Sequence, residues 1–413
     1  MKRLFRFIRV GKDQTKNMLK NISYTQATEI MLAQPAERRR KEVPIEAAAG
    51  RILSENVRAS FPMPPFDKSP FDGFAFRAED VPGTLTIRGM SAAGCRKLDD
   101  LMPGTAMRIF TGAPVPNGAD VVAKFEDTVT EGDRVTIPYT CTPDTNVIHT
   151  GEDYPAGALL LKAGTKLNAA EIGVLASQGL GVIPVFDRPK ALLLSTGTEL
   201  AEPGQERAPY GIYNSSYYSL RAYLQSMNLE VQSGGIVADD RELIERKIRD
   251  GLLGDYDLVV TTGGASVGDY DFAVRAAQDL GMEILFWKVN MKPGGALMAA
   301  RSGKKCYIAL SGNPAAAMMS VLVVLQPWLR KLSGANIGNT ELELPLLNPM
   351  PKFSTTARML RGQETVRDGK VFFEEHPGRG NSQIESFEHC NMIGIVPPGE
   401  GNLKAGDMIR VLR

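Results

Sequence analysis

Cysteine and histidine are scarce, with four and three copies among 413 residues. Cys95, Cys141, Cys306 and Cys390 lie far apart and form no CxxC pair, which argues against a zinc finger or a disulfide framework and favours the cytoplasm. His149, His376 and His389 fall in no HExxH or related pattern, so histidine-based metal or triad chemistry has little material. No apolar run reaches the roughly 20 residues a bilayer crossing needs; Val321–Leu325 is short and follows a helical start. A formal net charge of +1 supplies no general field for nucleic acid or an anionic membrane, so an anion must be held by local donors. The basic start, MKRLFRFIRVGKDQTKNMLK, has its apolar run broken by Arg6 and Arg9, unlike a signal peptide. Residues 1–20 therefore read as a solvated extension, with a partner-binding or surface-anchoring helix as the alternative.

What is present is ordinary globular material, 43% apolar and 23% charged, enough to offset chain entropy. At roughly 100 to 200 residues per domain, about two to four domains are expected. Tyr24 to Leu32 suits a helix, and Ala47 to Asn56 a short connector into extended chain. From Arg58 to Gly151 the chain is dense in Pro and Gly, with short apolar stretches at Thr84 to Arg88, Ala106 to Phe110, Val121 to Phe125 and Arg134 to Ile137. That pattern predicts a small, mostly β domain. Asn168 with Glu171 three residues on, and Gly179 beyond Ser177, bracket a short helix.

From Pro189 the rhythm becomes strand, glycine turn, helix. Ala191 to Leu194, Leu229 to Ile236, Leu258 to Thr262, Ile284 to Val289 and Cys306 to Leu310 are extended. Leu220, Tyr223, Leu224 and Met227, then Ile244, Ile248 and Leu252, then Ala273 to Leu280 have helical spacing, and a long helix follows Pro314. Alternation of this kind predicts a parallel sheet covered on both faces, with ligands beyond the carboxyl ends of its strands. After Leu332, short stretches at Leu342 to Leu347, Val371 to Glu374, Met392 to Val396 and Met408 to Leu412 suggest a small C-terminal β-barrel.

Three of those strand ends carry small hydroxylated loops: Ser195-Thr-Gly-Thr-Glu199, Thr261-Thr-Gly263-Gly264-Ala-Ser266-Val-Gly268 and Ser311-Gly-Asn-Pro314. Their amides can approach an anion closely, and a following helix adds a positive end, so a phosphorylated ligand is the direct reading. Ordinary strand-to-helix turns are the competing one. Acids stand beside the loops at Glu199, Asp239, Asp240, Asp269 and Asp271. Carboxylates facing phosphates repel them unless a divalent cation intervenes, which implies magnesium. Asp239 with Glu242 also reads as a capping box. Lys288 and Lys292, in WKVNMKPG, suit neutralising phosphate or another oxyanion, although either alone reads as a solvated lysine. In the β domain, PFDKSPFDG holds Asp67 and Asp72, and RIFTGAP offers Thr111; alone they are turn chemistry, with Asp72-Gly73 a possible hairpin turn.

Seven stretches, FDKSPFDGFA, RIFTGAPVPNGADVV, GEDYPAGALLLKAGTKL, LLSTGTEL, VVTTGGASVGDYD, FWKVNMKPG and LSGNP, together resemble the MoeA and gephyrin E-domain family in order and spacing, from about residue 20 to 413. The resemblance implies a multidomain α/β and β chain. Its parts are an α/β molybdopterin-binding domain of the MoaB/MogA-like doubly wound type (21–37 and 187–334), an elongated connector (38–57 and 152–186), the small β domain (58–151) and the C-terminal barrel (335–413). It further implies a homodimer with a site shared between the α/β domain of one subunit and the β domain of the other. The implied reaction inserts molybdate into adenylylated molybdopterin and releases AMP, with magnesium present. Other cofactor-biosynthesis proteins or acceptor molybdoenzymes are the implied protein partners.

Position by position, the resemblance casts Asp72, Thr111, Asp153, Glu199, Asp240, Asp271, Lys288, Lys292 and Pro314 as site residues. Within that frame Glu199 and Asp271 are expected to hold magnesium, and Lys288 and Lys292 to stabilise charge on the anhydride. Gly263, Gly264 and Ser266 are expected to cradle the pterin phosphate, with Ser311 in the third loop. Asp72 is expected to orient water or metal across the interface. Thr111 and the Asn381-Ser382 region are expected to offer donors to molybdate. The chain departs from the family where Ser311 replaces a proline, freeing an N–H, where Gly294-Gly295-Ala296 lacks a lysine, and around Asp67 to Asp72. A tungstate-handling paralogue, a binding protein without turnover, and the preceding adenylyl-transfer step stand as alternatives.

Overall fold

The computed structural model describes residues 18–263, 272–336, 341–350, 353–377 and 383–413. Its largest layer is a seven-stranded sheet in the order Lys20–Ile22, Glu283–Val289, Leu297–Ser302, Lys305–Leu310, Leu258–Thr262, Lys190–Thr196, Glu230–Val237. Successive side chains serve opposite faces, as strand geometry requires. Leu193, Val260 and Ile308 join one core with the helices Tyr24–Ala33, Ser215–Ser226 and the run from Pro314 to Ser333. Leu192, Val259 and Tyr307 join a second core with Arg241–Leu253 and Phe272–Asp279. Burial on both faces is why Leu258–Thr262, LVVTT, is a continuous buried run.

The sheet departs from the expected all-parallel form in one strand. Leu297–Ser302 pairs antiparallel with both neighbours and forms a hairpin with Lys305–Leu310. Its sequence, LMAARS, has no β-branched residue to announce it. The sheet also begins at Lys20, inside the segment read as a solvated extension, because Lys20–Ile22 adds a parallel edge strand to Glu283–Val289. Pro314–Ser333, at 20 residues, has the length and apolarity of a membrane span, yet it is 67% buried within the protein. A single π turn at Val321–Leu325 precedes Pro327, which has no N–H to give the preceding turn.

Winding reverses at Lys190–Thr196, next to the edge strand Glu230–Val237. From Lys190–Thr196 the chain passes through Ser215–Ser226 to Glu230–Val237 on one side, then through Arg241–Leu253 to Leu258–Thr262 on the other. Such a switch point leaves a crevice at the carboxyl ends of Lys190–Thr196 and Leu258–Thr262, where doubly wound proteins bind ligands.

The small β unit is one six-stranded sheet in the order Val121–Lys124, Gly73–Phe76, Thr105–Ile109, Gly83–Ser91, Arg134–Ile137, Val129–Glu131. Phe74, Phe76, Val121, Val135 and Ile137 fill its core. Asp72-Gly73 is not a hairpin turn. Gly73 opens a strand, and a Cβ there would lie 1.8 Å from the Ala123 carbonyl oxygen, so the glycine serves a close strand approach. The connector pairs Arg40–Pro44 with Val182–Phe186 and Val57–Arg58 with Leu159–Leu161 around Val43, Leu53, Leu175 and Ile183. In the C-terminal unit, Ala357–Arg367 is the long strand against which Lys370–Glu375 and Met392–Val396 pair. A bridge from Leu346 to Phe373 brings the edges of this sheet together around Met350, Leu360, Phe373 and Val411.

Candidate functional site

At the switch point two glycines bring the central strand ends together. Gly263, at φ +94°, donates its N–H to the Leu310 carbonyl at 3.0 Å. A Cβ there would meet the Thr196 hydroxyl oxygen at 2.4 Å. Thr196 in turn donates to the Thr262 carbonyl at 3.0 Å. Gly312, from the third loop, stands against Gly263 with room for only 3.6 Å between a Cβ and its Cα. The first and third loops therefore meet the start of the second at one edge of the sheet, as their strand order demands.

Glu199 lies exposed on the first loop, its carboxylate against Gly197, where a Cβ would come within 2.5 Å of it. Thr198 is tied down by Asp239, whose carboxylate accepts from its amide at 3.3 Å and its hydroxyl at 3.1 Å. This reverses the expected roles of two neighbouring acids. Asp240 is the helix cap, accepting from the Leu243 amide at 2.8 Å, while Asp239 reaches the switch-point loop. Adjacent aspartates both satisfy a capping pattern, and only the loop geometry separates them.

Beside these loops is an open cleft of about 460 Å³ whose walls include Lys288, Lys292 and Ser311, together with Asn21, Asn313 and Thr356. The cleft thus gathers three predicted residues. Lys288 sits at φ +67°, a left-handed conformation that non-glycine residues rarely hold. Its ammonium lies 5.2 Å from the Trp287 ring centroid, and Lys20 lies 4.2 Å from the same ring. The turn beyond is tight. A Cβ on Gly295 would sit 2.6 Å from the carbonyl oxygens of both Val289 and Met291, so this loop has no space for a side chain where the resemblance leads one to expect lysine. Ser311 accepts from the Asn313 amide at 3.2 Å, and Pro314 takes the first turn of the following helix. Two lysines, a serine hydroxyl and amide side chains facing one cleft suit a multiply charged oxyanion or phosphate.

The acids of the small β unit form a separate constellation. Gly73 pairs with Ile109, which places Asp72 beside Thr111. Asp72 accepts from the Thr111 amide and hydroxyl, each at 2.8 Å. The amide and then the hydroxyl bond, with Arg108 nearby, hold this exposed carboxyl below the usual carboxylate range against a smaller effect of burial. Thr111 was expected to offer its donors to molybdate; both are engaged by Asp72 instead. Asp67 repeats the motif, accepting from the Thr150 amide and hydroxyl at 2.7 Å and from His149 at 3.3 Å. Burial raises its pKa, but the Thr150 and His149 bonds outweigh that and leave it lowered. Lys124 stands 4.3 Å from the Phe71 ring centroid, on the same turn.

The two constellations are not joined. Among the described residues, hydrogen bonds from the small β unit lead to the connector and none to the α/β sheet. Asp153 lies exposed in a turn at that junction, its amide donating to the Met63 carbonyl at 3.0 Å, bonded to no other predicted residue. Gly264, Ser266, Asp271 and Ser382 lie outside the described residues. Among the described residues no three His, Cys, Asp or Glu side chains form a metal cage. Thiol chemistry finds little support either. Burial pushes the Cys306 thiol up to about 12, and Cys141 and Cys390 are also raised, chiefly by burial. Asn21 and Thr356 were missed by sequence reasoning and carried no signal; Asn313, directly before Pro314, carried a cap signal, and Asp239, noted beside the loops, read as a capping-box residue.

Comparison with known proteins gives concordant matches. Residues 22–179 match a family model described as MoeA N-terminal region (domain I and II), and residues 192–331 match a probable molybdopterin binding domain. A molybdopterin molybdenumtransferase of Staphylococcus epidermidis is 29% identical over 399 residues, 95% of each chain. Its Staphylococcus aureus counterpart is 29% identical over 378 residues, 90% of each. A molybdopterin biosynthesis MoeA protein of Pyrococcus horikoshii superposes with a TM-score of 0.79 at 26% identity, covering 95% of this chain and 98% of that one. A molybdenum cofactor biosynthesis protein of Pyrococcus furiosus, at 19% identity and TM-score 0.59, shares the fold.

Proposed function

The chain belongs to the MoeA family, and from that premise we propose that it is a molybdopterin molybdenumtransferase, inserting molybdate into adenylylated molybdopterin and releasing AMP. The observation that carries this reading is the cleft walled by Lys288, Lys292 and Ser311 beside the switch-point loops. One reactant carries a phosphoanhydride and the other is a tetrahedral dianion, so an electropositive cleft beside a glycine-bared crevice meets the charge of both.

In this reading the second loop, which starts at Gly263, is the expected cradle of the pterin phosphate, and the lack of a side chain at Gly263 leaves the strand end open to it. Lys288 and Lys292 stabilise the charge that develops as the anhydride breaks. Ser311 donates its hydroxyl to an oxyanion. Glu199 is an exposed oxygen ligand at the crevice, and an all-oxygen donor set fits magnesium, with Asp271 as the expected second carboxylate. A magnesium ion held there would supply neutralisation of phosphate charge. Asp72 stays ionised because Thr111 donates to it twice, and so it is able to orient water or accept a proton. Since among the described residues no hydrogen bond joins Asp72's unit to the α/β sheet, we place the complete site between two copies, with Asp72 facing the partner copy's lysine cleft. Four free thiols accord with a cytoplasmic setting.

The test is AMP release from adenylylated molybdopterin by purified protein with magnesium, comparing molybdate, tungstate and no oxyanion. Molybdate-dependent release is expected. A tungstate preference would reassign the oxyanion, and tight ligand binding without release would leave a binding protein.

A further inference from the structure

Between Lys190–Thr196 and Ser215–Ser226 the chain makes an excursion that carries Glu199 and returns through Leu200–Ala201 and Ile212–Tyr213, paired in parallel. One buried side chain joins its two ends. Asn214, 2% exposed, caps the helix, its Oδ1 accepting from the Tyr217 amide at 3.4 Å and from the hydroxyl of buried Ser195 at 3.1 Å. Its amide nitrogen donates to Glu202 Oε1 at 3.4 Å, and Glu202 Oε2 accepts from the Tyr218 hydroxyl at 3.0 Å. The polarity is forced. A backbone N–H only donates and a carboxylate only accepts, so the Asn214 oxygen faces Tyr217 and its nitrogen faces Glu202.

Backbone bonds complete the closure. Ile212 donates to the Glu199 carbonyl at 2.8 Å and Asn214 to the Ala201 carbonyl at 3.0 Å. A Cβ on Gly211 would lie 2.8 Å from the Glu199 carbonyl oxygen, so glycine permits the approach. Capping the helix needs only Oδ1, and aspartate would do it as well. The second arm, to Glu202, is not needed by the helix. What it secures is the segment on which Glu199 stands.

We infer that Glu202 is a positioning residue. Through the Asn214 amide, and steadied by Tyr218, it clips the excursion shut and holds the Glu199 carboxylate at the crevice. This rests on the assignment of Glu199 to the magnesium and phosphate end of the site. Groups that orient a metal ligand alter metal affinity or activity by about 10- to 100-fold when lost, and that is the size of effect expected here.

Asn214→Asp tests it, because aspartate keeps the cap but sets a carboxylate against Glu202. Combining it with Glu202→Gln reverses the polarity of the pair: glutamine's NH₂ donates to the new carboxylate while its carbonyl still accepts from Tyr218. In the protein as purified, the single variant should need about 10- to 100-fold more magnesium for half-maximal AMP release and lose hydrogen-exchange protection at the Ile212 and Asn214 amides, at an unchanged melting temperature. The double variant should recover both. An unchanged magnesium requirement in Asn214→Asp, or a loss that Glu202→Gln fails to repair, overturns the clip. Wild-type protein that releases no AMP counts against the proposed function, and the clip then stands or falls on exchange protection in the two variants.

Discussion

At the strand ends of the α/β sheet, donors face outward: Lys288 and Lys292 line an open cleft, and Gly294 and Gly295 in its wall leave no space for a side chain. In the small β unit the reverse holds, for Asp72 and Asp67 are each gripped by an amide and a hydroxyl of one threonine. The first region is built to receive negative charge and the second to present it. Opposite charge lends the pair complementarity, and in the proposed function each is one half of a shared site. What fixes the cleft is backbone shape, which tolerates few substitutions at glycine. What fixes the acids is side-chain hydrogen bonding, which can be removed one bond at a time.

Substitutions on the two sides should accordingly fail in different ways. The largest effect is expected of Asp72→Ala, which removes the presented carboxylate and should lower AMP release by about 10²- to 10⁴-fold with oligomeric state unchanged by gel filtration; an unaltered rate removes Asp72 from the mechanism. Lys288→Ala should cost about 10²- to 10³-fold in kcat and also weaken molybdate binding, read as a change in Trp287 fluorescence, whereas Asp72→Ala should leave that binding intact. If both variants weaken molybdate equally, the division of labour is wrong. Gly263→Ala should act on structure, destabilising the protein by about 1–3 kcal/mol in a denaturant titration, since its Cβ collides with Thr196. Thr111→Val is the mildest. With its hydroxyl bond gone, the Asp72 pKa rises toward the ordinary value near about 3.9. Because a lowered pKa keeps the group ionised to lower pH, the acid limb of the rate profile should move upward, with little change at neutral pH. An unmoved limb would detach Asp72's ionisation from the rate.

Much of the architecture was legible because periodicity is a direct imprint of burial. Ile244, Ile248 and the run Leu258 to Thr262 lie where their spacing placed them. The features that escaped have identifiable causes. Leu297–Ser302 lacks β-branched residues, and its place comes from the hairpin with Lys305–Leu310. Gly73 follows an aspartate, so it imitated a turn, although its smallness answers to Ala123 on the next strand. Asp239 and Asp240 differ by one residue and exchange roles because Leu243 presents its amide to the second. The strand-end loops were readable as anion sites, whereas Asn21 and Thr356 enter the cleft from the first edge strand and the C-terminal unit, contributions that only tertiary structure creates.

The central claim is that the acid half of one chain works with the cleft half of another. Mixing Asp72→Ala and Lys288→Ala chains, each inactive alone, and measuring AMP release after subunit exchange tests it most directly. In a mixed two-fold dimer one site keeps both groups, so random exchange should restore about a quarter of wild-type activity. Restoration near that level is the predicted result. If the mixture stays as inactive as its components while mixed dimers are shown to form, both groups act from the same chain and the account is contradicted.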